Sequence, residues 1–81
     1  MATRHDLDTW VVEALNSLGG KGVIPVVCKY IWDNYEKELR MSGNLFYTWQ
    51  YDIRWSVVRL RKQGLLVGAN VSGNGLWELD S

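Results

Sequence analysis

The segment from residue 48 to residue 64 constrains the fold most, because the longest helical pattern of the chain ends there and a strand pattern follows. A helical period of about 100° per residue divides residues 48–63 into two sides. The side predicted to be buried carries Trp49, Ile53, Ser56, Val57 and Leu60. Thr48 is the predicted N-cap of this helix, and Gly64 is the residue predicted to end it.

Two short apolar runs after Gly64, residues 65–67 and 76–79, are typical of β-strands. The segment between them is rich in glycine, asparagine and serine, and residues 74–75 form an Asn-Gly pair that favours a turn. This part of the chain therefore predicts a two-stranded hairpin with a flexible tip, which we call the wing (residues 65–79).

The first third of the chain predicts a helix over residues 6–18, because apolar residues recur there at spacings of three and four. Asp6 or Asp8 is the predicted cap of this helix. Gly19 and Gly20 supply the left-handed conformation that ends it.

A second helix is predicted to begin at Pro25, which fits the first helical turn because its missing N–H costs nothing there. Val23 and Ile24, just before it, form at most a short edge strand. The helix reaches about Tyr35, and its extension to Arg40 is left open by the charged composition. Residues 41–44 form a loop.

The predicted order of elements is helix, short strand, helix, helix, strand, strand. This order is that of an α+β winged helix-turn-helix fold, with three helices and a small antiparallel sheet. Since 81 residues have room for one hydrophobic core, we expect residues 1–81 to form a single winged-helix domain.

Charge and reactive side chains exclude several functional classes. Nine basic and nine acidic residues cancel, so any basic surface must be local. His5 and Cys28 lack companion ligands, which predicts no metal, no cofactor and no enzymatic activity. The lone cysteine, together with the lack of an apolar leader or membrane span, predicts a cytoplasmic protein without membrane association.

The second side of the helix at residues 48–63 is basic and aromatic. It carries Tyr51, Trp55, Val58 and Lys62, with Gln50, Arg54 and Arg61 along one edge and Arg59 along the other. A helix fits the major groove of DNA, where arginine and glutamine pair with base edges and lysine pairs with phosphate. Cations at a helix C-terminus also oppose the helix dipole, so a merely solvated helix end is the alternative interpretation.

These features predict a DNA-binding site on the third helix and the wing. Thr48 is expected to contact phosphate near the start of the helix. The polar residues of the wing are expected to donate hydrogen bonds to the DNA backbone or in the minor groove. The full predicted set is Thr48, Gln50, Tyr51, Arg54, Val58, Arg61, Lys62, Asn70, Ser72 and Asn74.

Trp55 allows two interpretations. The favoured one is packing against the hairpin, with Trp77 as its neighbour. The other is an aromatic surface, shared with Tyr51, for a partner protein or an unstacked base. A second function hypothesis follows from it: a winged-helix protein–protein interaction domain without DNA binding, which docks its partner through these aromatic residues and the strand edges.

The sequence WQYDIRWSVVRLRKQGLL at residues 49–66, followed by GLWEL at residues 75–79, resembles the winged-helix domain at the N-terminus of Mrr-type restriction endonucleases. It is also similar to the winged-helix module of methyladenine-directed restriction enzymes. The resemblance implies a module that docks on double-stranded DNA, in some members methylated DNA, within a restriction or DNA-modification system. It further implies a nuclease domain in the same or a partner chain.

The chain departs from that family in two places. Residues 70–74 contain no lysine or arginine, although such wings carry cations, and Asp52 adds a negative charge to the helix. Because phosphate neutralisation supplies most nonspecific affinity for DNA, these departures predict weak binding by the isolated domain.

Overall fold

The computed structural model describes residues 3–73 and 75–80. Within these residues the protein has four helices and a two-stranded antiparallel sheet, which confirms the predicted α+β class. The elements are, in order, α1 (Arg4–Ser17), β1 (Lys21–Val23), α2 (Ile24–Arg40), α3 (Leu45–Lys62), α4 (Ala69–Ser72) and β2 (Leu76–Glu78). No helix in this part of the chain has the length and apolar character to cross a membrane.

Helix α1 is capped by Thr3, so the predicted cap at Asp6 or Asp8 is wrong. The Thr3 hydroxyl accepts the Asp6 backbone N–H at 3.4 Å, and the Thr3 N–H donates to the Asp6 carboxylate at 2.8 Å. This reciprocal capping box satisfies two N–H groups at once, which places Asp6 inside the first turn. Gly20, at φ 103°, ends the helix as predicted and donates its N–H to the Leu15 carbonyl at 2.7 Å.

Helix α2 carries Pro25 in its first turn and extends to Arg40, with a kink at Tyr35 (φ −129°, ψ 19°). Tyr35, the residue at the kink, contacts two residues of α1. Its ring stacks on Trp10 with centroids 4.1 Å apart, and its hydroxyl donates to Glu13 at 2.6 Å. The hydrogen bond to Glu13, with burial, raises the pKa of Tyr35 to about 12.

Helix α3 begins at Leu45, one turn before the predicted start at Thr48. Its N-cap is Asn44, whose side chain makes no capping hydrogen bond. The end of the helix follows the prediction, because Gly64 adopts φ 79° and the Leu65 N–H donates to the Leu60 carbonyl at 2.9 Å.

The core lies where α3 crosses α1 and α2, and the wing closes it. The predicted inner side of α3 is buried as expected, and Ile53 and Ser56 are wholly inaccessible. The buried apolar side chains are Leu7, Trp10, Val11, Ala14, Leu15, Val27, Ile31, Leu39, Trp49, Ile53, Val57, Leu60, Leu66 and Trp77.

Strand β2 pairs with β1 in antiparallel register, with Lys21 opposite Glu78 and Val23 opposite Leu76. On its other side it meets residues 65–67 at a single bridge between Leu66 and Leu79. The predicted hairpin of two full strands with a flexible tip is therefore wrong in detail. Its first strand is reduced to one bridge, and α4 occupies the tip. Ile24 likewise opens α2 instead of extending β1.

Candidate nucleic-acid interface

Helix α3 exposes a continuous surface on the side opposite the core, which we call the outer face. Its members share exposure to solvent and lie three or four residues apart, and they are Tyr47, Gln50, Tyr51, Arg54, Trp55, Val58 and Lys62. Its three aromatic side chains are all more than half exposed: Tyr47 is 82%, Tyr51 62% and Trp55 52% exposed. A helix that buries one apolar side thus presents a second one to solvent.

Trp55 does not pack into the hairpin, so the favoured interpretation of this residue is wrong. Its ring instead meets Tyr51 edge-on, with centroids 6.4 Å apart and planes at 68°. Trp77, the expected neighbour, is only 4% exposed and belongs to the core. A small hollow of about 290 Å³ lies beside the Tyr51–Trp55 pair, lined also by Arg4, Asp52 and Arg59.

The four basic residues of α3 divide into two free and two bound. Arg54 and Lys62 are exposed and form no ion pair with any described residue. Arg59 is committed to α1, since its Nη2 and Nε lie 2.7 and 3.1 Å from the two carboxylate oxygens of Asp8. Arg61 donates from Nε to the Val67 carbonyl at 3.0 Å. Arg54 and Lys62 are therefore the two cations of the outer face, whereas Arg59 is neutralised by Asp8 and Arg61 keeps its charge because the carbonyl is a neutral acceptor.

The bidentate pair between Arg59 and Asp8 joins the helices that make the largest part of the core. Burial alone raises the pKa of the Asp8 carboxyl, but hydrogen bonds from Arg59 and Ser56 and the positive charge of Arg59 outweigh it, so the pKa is lowered. The side chain of Arg59 is 35% exposed and that of Asp8 is 18% exposed. This arginine therefore joins α1 to α3, and it is not among the predicted DNA contacts.

Thr48 lies inside α3, and its predicted place at the helix N-terminus is wrong. Its hydroxyl donates to the Asp52 carboxylate at 2.8 Å. Asp52 is only 7% exposed, so its negative charge sits beneath Thr48 and away from the solvent. The departure at Asp52 thus has a structural role, which sequence reasoning did not foresee.

Of the three wing residues predicted to bind DNA, the structure describes Asn70 and Ser72. Asn70 is exposed, whereas Ser72 turns its hydroxyl inward and donates to the Leu76 carbonyl at 3.0 Å. Asn74, also predicted to bind DNA, lies outside the described residues. Val71, an apolar residue of α4, is 70% exposed.

Two residues of the outer surface were missed from the sequence. Tyr47 lies outside the helix predicted from the sequence, because that helix was predicted to begin at Thr48. The i, i+4 spacing of Tyr47, Tyr51 and Trp55 was the available signal, and it becomes visible only when the helix starts at Leu45. Arg4 was missed because α1 was predicted to start after it, yet it lines the hollow beside Trp55.

Other reactive groups are isolated. Cys28 lies in a groove of about 510 Å³ between α2 and α3, and burial raises the pKa of its thiol, an effect that the charge of Arg54 partly offsets. Over residues 3–73 and 75–80, no three histidine, cysteine, aspartate or glutamate side chains are grouped so that they could hold a metal ion.

Comparison of the chain with protein-family models, with curated proteins and with solved structures finds no significant match.

Proposed function

We propose that the protein is a DNA-binding winged-helix module whose outer face on α3 lies in the major groove. The main support is that Arg54 and Lys62 are exposed on the same face as Gln50 and form no ion pair with a described residue. The element order and the position of β2 between β1 and the Leu66 bridge are compatible with a winged helix. The resemblance to Mrr-type domains supports a role as a reader domain, including of modified bases, in a restriction or DNA-modification protein.

In this arrangement Gln50 and Arg54 face base edges, where both side chains form bidentate hydrogen bonds, and Lys62 pairs with phosphate. Tyr51 and Val58 supply apolar contacts to the methyl groups of the major groove. Arg61 contributes less than its charge suggests, because its Nε is engaged by the Val67 carbonyl. With few free cations on α3 and a wing whose residues 70–74 carry none, the affinity of the isolated domain is modest and strongly dependent on salt.

Titration of a labelled duplex at low salt tests this proposal, with unmodified, adenine-methylated and cytosine-modified versions of the DNA. Arg54→Ala should weaken binding at least fivefold, since charged contacts to bases are worth about 1–3 kcal/mol. Arg40→Ala is the matched control, because Arg40 lies on α2 and is paired with Glu36 at 2.7 Å. Absence of binding to every duplex, or equal losses in the two variants, would count against the proposal.

The exposed aromatic rings also support a second candidate, a protein–protein interaction module that docks its partner through Tyr51 and Trp55. Binding driven by apolar contact changes little with salt, whereas binding to DNA weakens steeply. Salt-insensitive self-association or partner capture that survives Arg54→Ala and is lost in Trp55→Ala would favour this candidate.

A further inference from the structure

The aromatic residues of the outer face form a regular ladder along α3. Tyr47, Tyr51 and Trp55 are spaced by four residues, so successive rings are offset by about 6 Å along the helix axis. All three are more than half exposed. Tyr51 and Trp55 meet edge to face with centroids 6.4 Å apart, and more than half of each side chain stays open to solvent.

An intact duplex cannot use such a ladder fully. Bases in a stacked strand are about 3.4 Å apart, which is little more than half of the offset between the rings. A duplex also shows only base edges in its grooves, whereas aromatic side chains attract the flat faces of bases. An unstacked strand, in contrast, can extend to match the spacing and offers every base face to a ring.

The charges beside the ladder indicate a polyanion. The exposed charged side chains of the outer face, Arg54 and Lys62, are both positive, and Asp52 is covered by Thr48. A second copy of the same face would therefore bring like charges together. Two free cations are a modest number for gripping a duplex, but binding to single strands takes much of its energy from stacking and releases fewer counterions per phosphate.

We propose that the outer face binds single-stranded or locally unpaired DNA, with bases stacked on Tyr47, Tyr51 and Trp55 and phosphates paired with Arg54 and Lys62. This inference rests on the proposed function, since the same face would bind DNA, and it adds single-stranded or locally unpaired DNA to the duplex as a substrate. The hollow beside Tyr51 and Trp55, about 290 Å³ and lined also by Arg4, Asp52 and Arg59, provides room for the edge of one stacked base.

The test compares binding of labelled oligothymidine with binding of a duplex of equal length, followed by anisotropy at low salt. Single-stranded DNA should bind at least as tightly as the duplex. Tyr51→Leu and Trp55→Leu should each weaken binding to the single strand about fivefold or more, as expected for loss of one stacked base. Tyr51→Phe and Trp55→Phe keep a ring and should retain most of the affinity, and circular dichroism should show that all four variants are folded.

The outcomes separate this inference from the proposed function. Binding of the duplex without binding of the single strand, or equal affinity of the Leu and Phe variants for the single strand, overturns the inference and leaves the DNA-binding proposal standing. Failure of both DNAs to bind overturns both. A loss confined to the ringless variants supports stacking, because a role in folding alone would weaken the binding of both DNAs together.

Discussion

The two faces of α3 are both apolar, yet only one of them is used by the fold. The inner side chains of Ile53, Val57 and Leu60 are at most 3% exposed, whereas the outer Tyr51 and Trp55 are 62% and 52% exposed. These inner residues are aliphatic and fill the space between helices, and the aromatic Trp49 is buried on the same side. The outer aromatic residues are accompanied by free cations. Apolar or aromatic composition alone therefore does not distinguish a packing surface from a binding surface; the charged residues beside it do.

The contrast between the two faces of α3 predicts that substitutions on the inner face lower stability and that those on the outer face do not. Ile53→Ala on the inner side should lower the free energy of unfolding by about 2–5 kcal/mol, because it leaves a cavity in a site with no solvent access. Urea denaturation followed by circular dichroism measures the change. Val58→Ala is the matched control on the outer face, and an equal loss in both variants would break the distinction between the faces.

A smaller effect is expected at the edge of α3, where Arg59 is paired with Asp8. Arg59→Met keeps much of the aliphatic stem and should destabilise the protein by about 1–2 kcal/mol, between the values for exposed and buried pairs. Because both side chains keep some exposure to solvent, the expected loss of stability is smaller than for a fully buried pair. Unchanged stability would show that the pair does not join α1 to α3.

The same pair predicts a dependence on pH. Because the pKa of Asp8 is lowered in the folded protein, its stabilising contribution is complete above the ordinary carboxyl pKa of about 3.9 and is lost as the pH falls below it. The stability advantage of the natural chain over Asp8→Asn should therefore be constant near neutral pH and shrink below about pH 4. If the stability advantage instead shrinks between pH 5 and 8, a group other than Asp8 is responsible for it.

Thr48 lies at the border of the two faces and should show an intermediate effect. Thr48→Val keeps the shape of the side chain but removes the donor to Asp52, which should cost about 0.5–1.5 kcal/mol. Thermal unfolding at neutral pH measures it. The double variant Thr48→Val with Asp52→Asn serves as the check, because coupling between the two changes is expected only if the hydrogen bond exists.

The smallest effect should come from the outer face. Tyr51→Leu should change the free energy of unfolding by no more than about 0.5 kcal/mol, since an exposed side chain loses little on replacement. Its effect on DNA binding should be far larger than its effect on stability. A large loss of stability would mean that the outer aromatic residues support the fold and would remove the contrast on which their proposed role depends.

The sequence predicted the inner side of α3 because burial follows the helical period directly. The start of the helix could not be predicted in the same way, since Asn44 makes no side-chain cap and Thr48 carries a capping residue's chemistry one turn too late. That misplaced start hid Tyr47 from the predicted site. Local signals thus located the helix but not its first turn.

The partners of the basic residues depended on tertiary contacts that no local pattern reveals. Asp8 and Arg59 meet only because α1 packs on α3, and Arg61 finds its acceptor because the chain turns back at Gly64. The strand predicted at residues 65–67 fails for a related reason. Leu65 is 46% exposed and Leu66 alone is buried, so the apolar run supplies one core residue and one bridge.

The position of β2 has a consequence for the order in which the protein can form. β2 lies between β1 and the Leu66 bridge although it follows every other element in the chain. The three long helices are therefore made before either neighbour of β2 can be paired. Until Trp77 is added, the helical part leaves uncovered the apolar surface that this indole buries. A chain that stops before residue 76 would accordingly expose part of its core to chaperones.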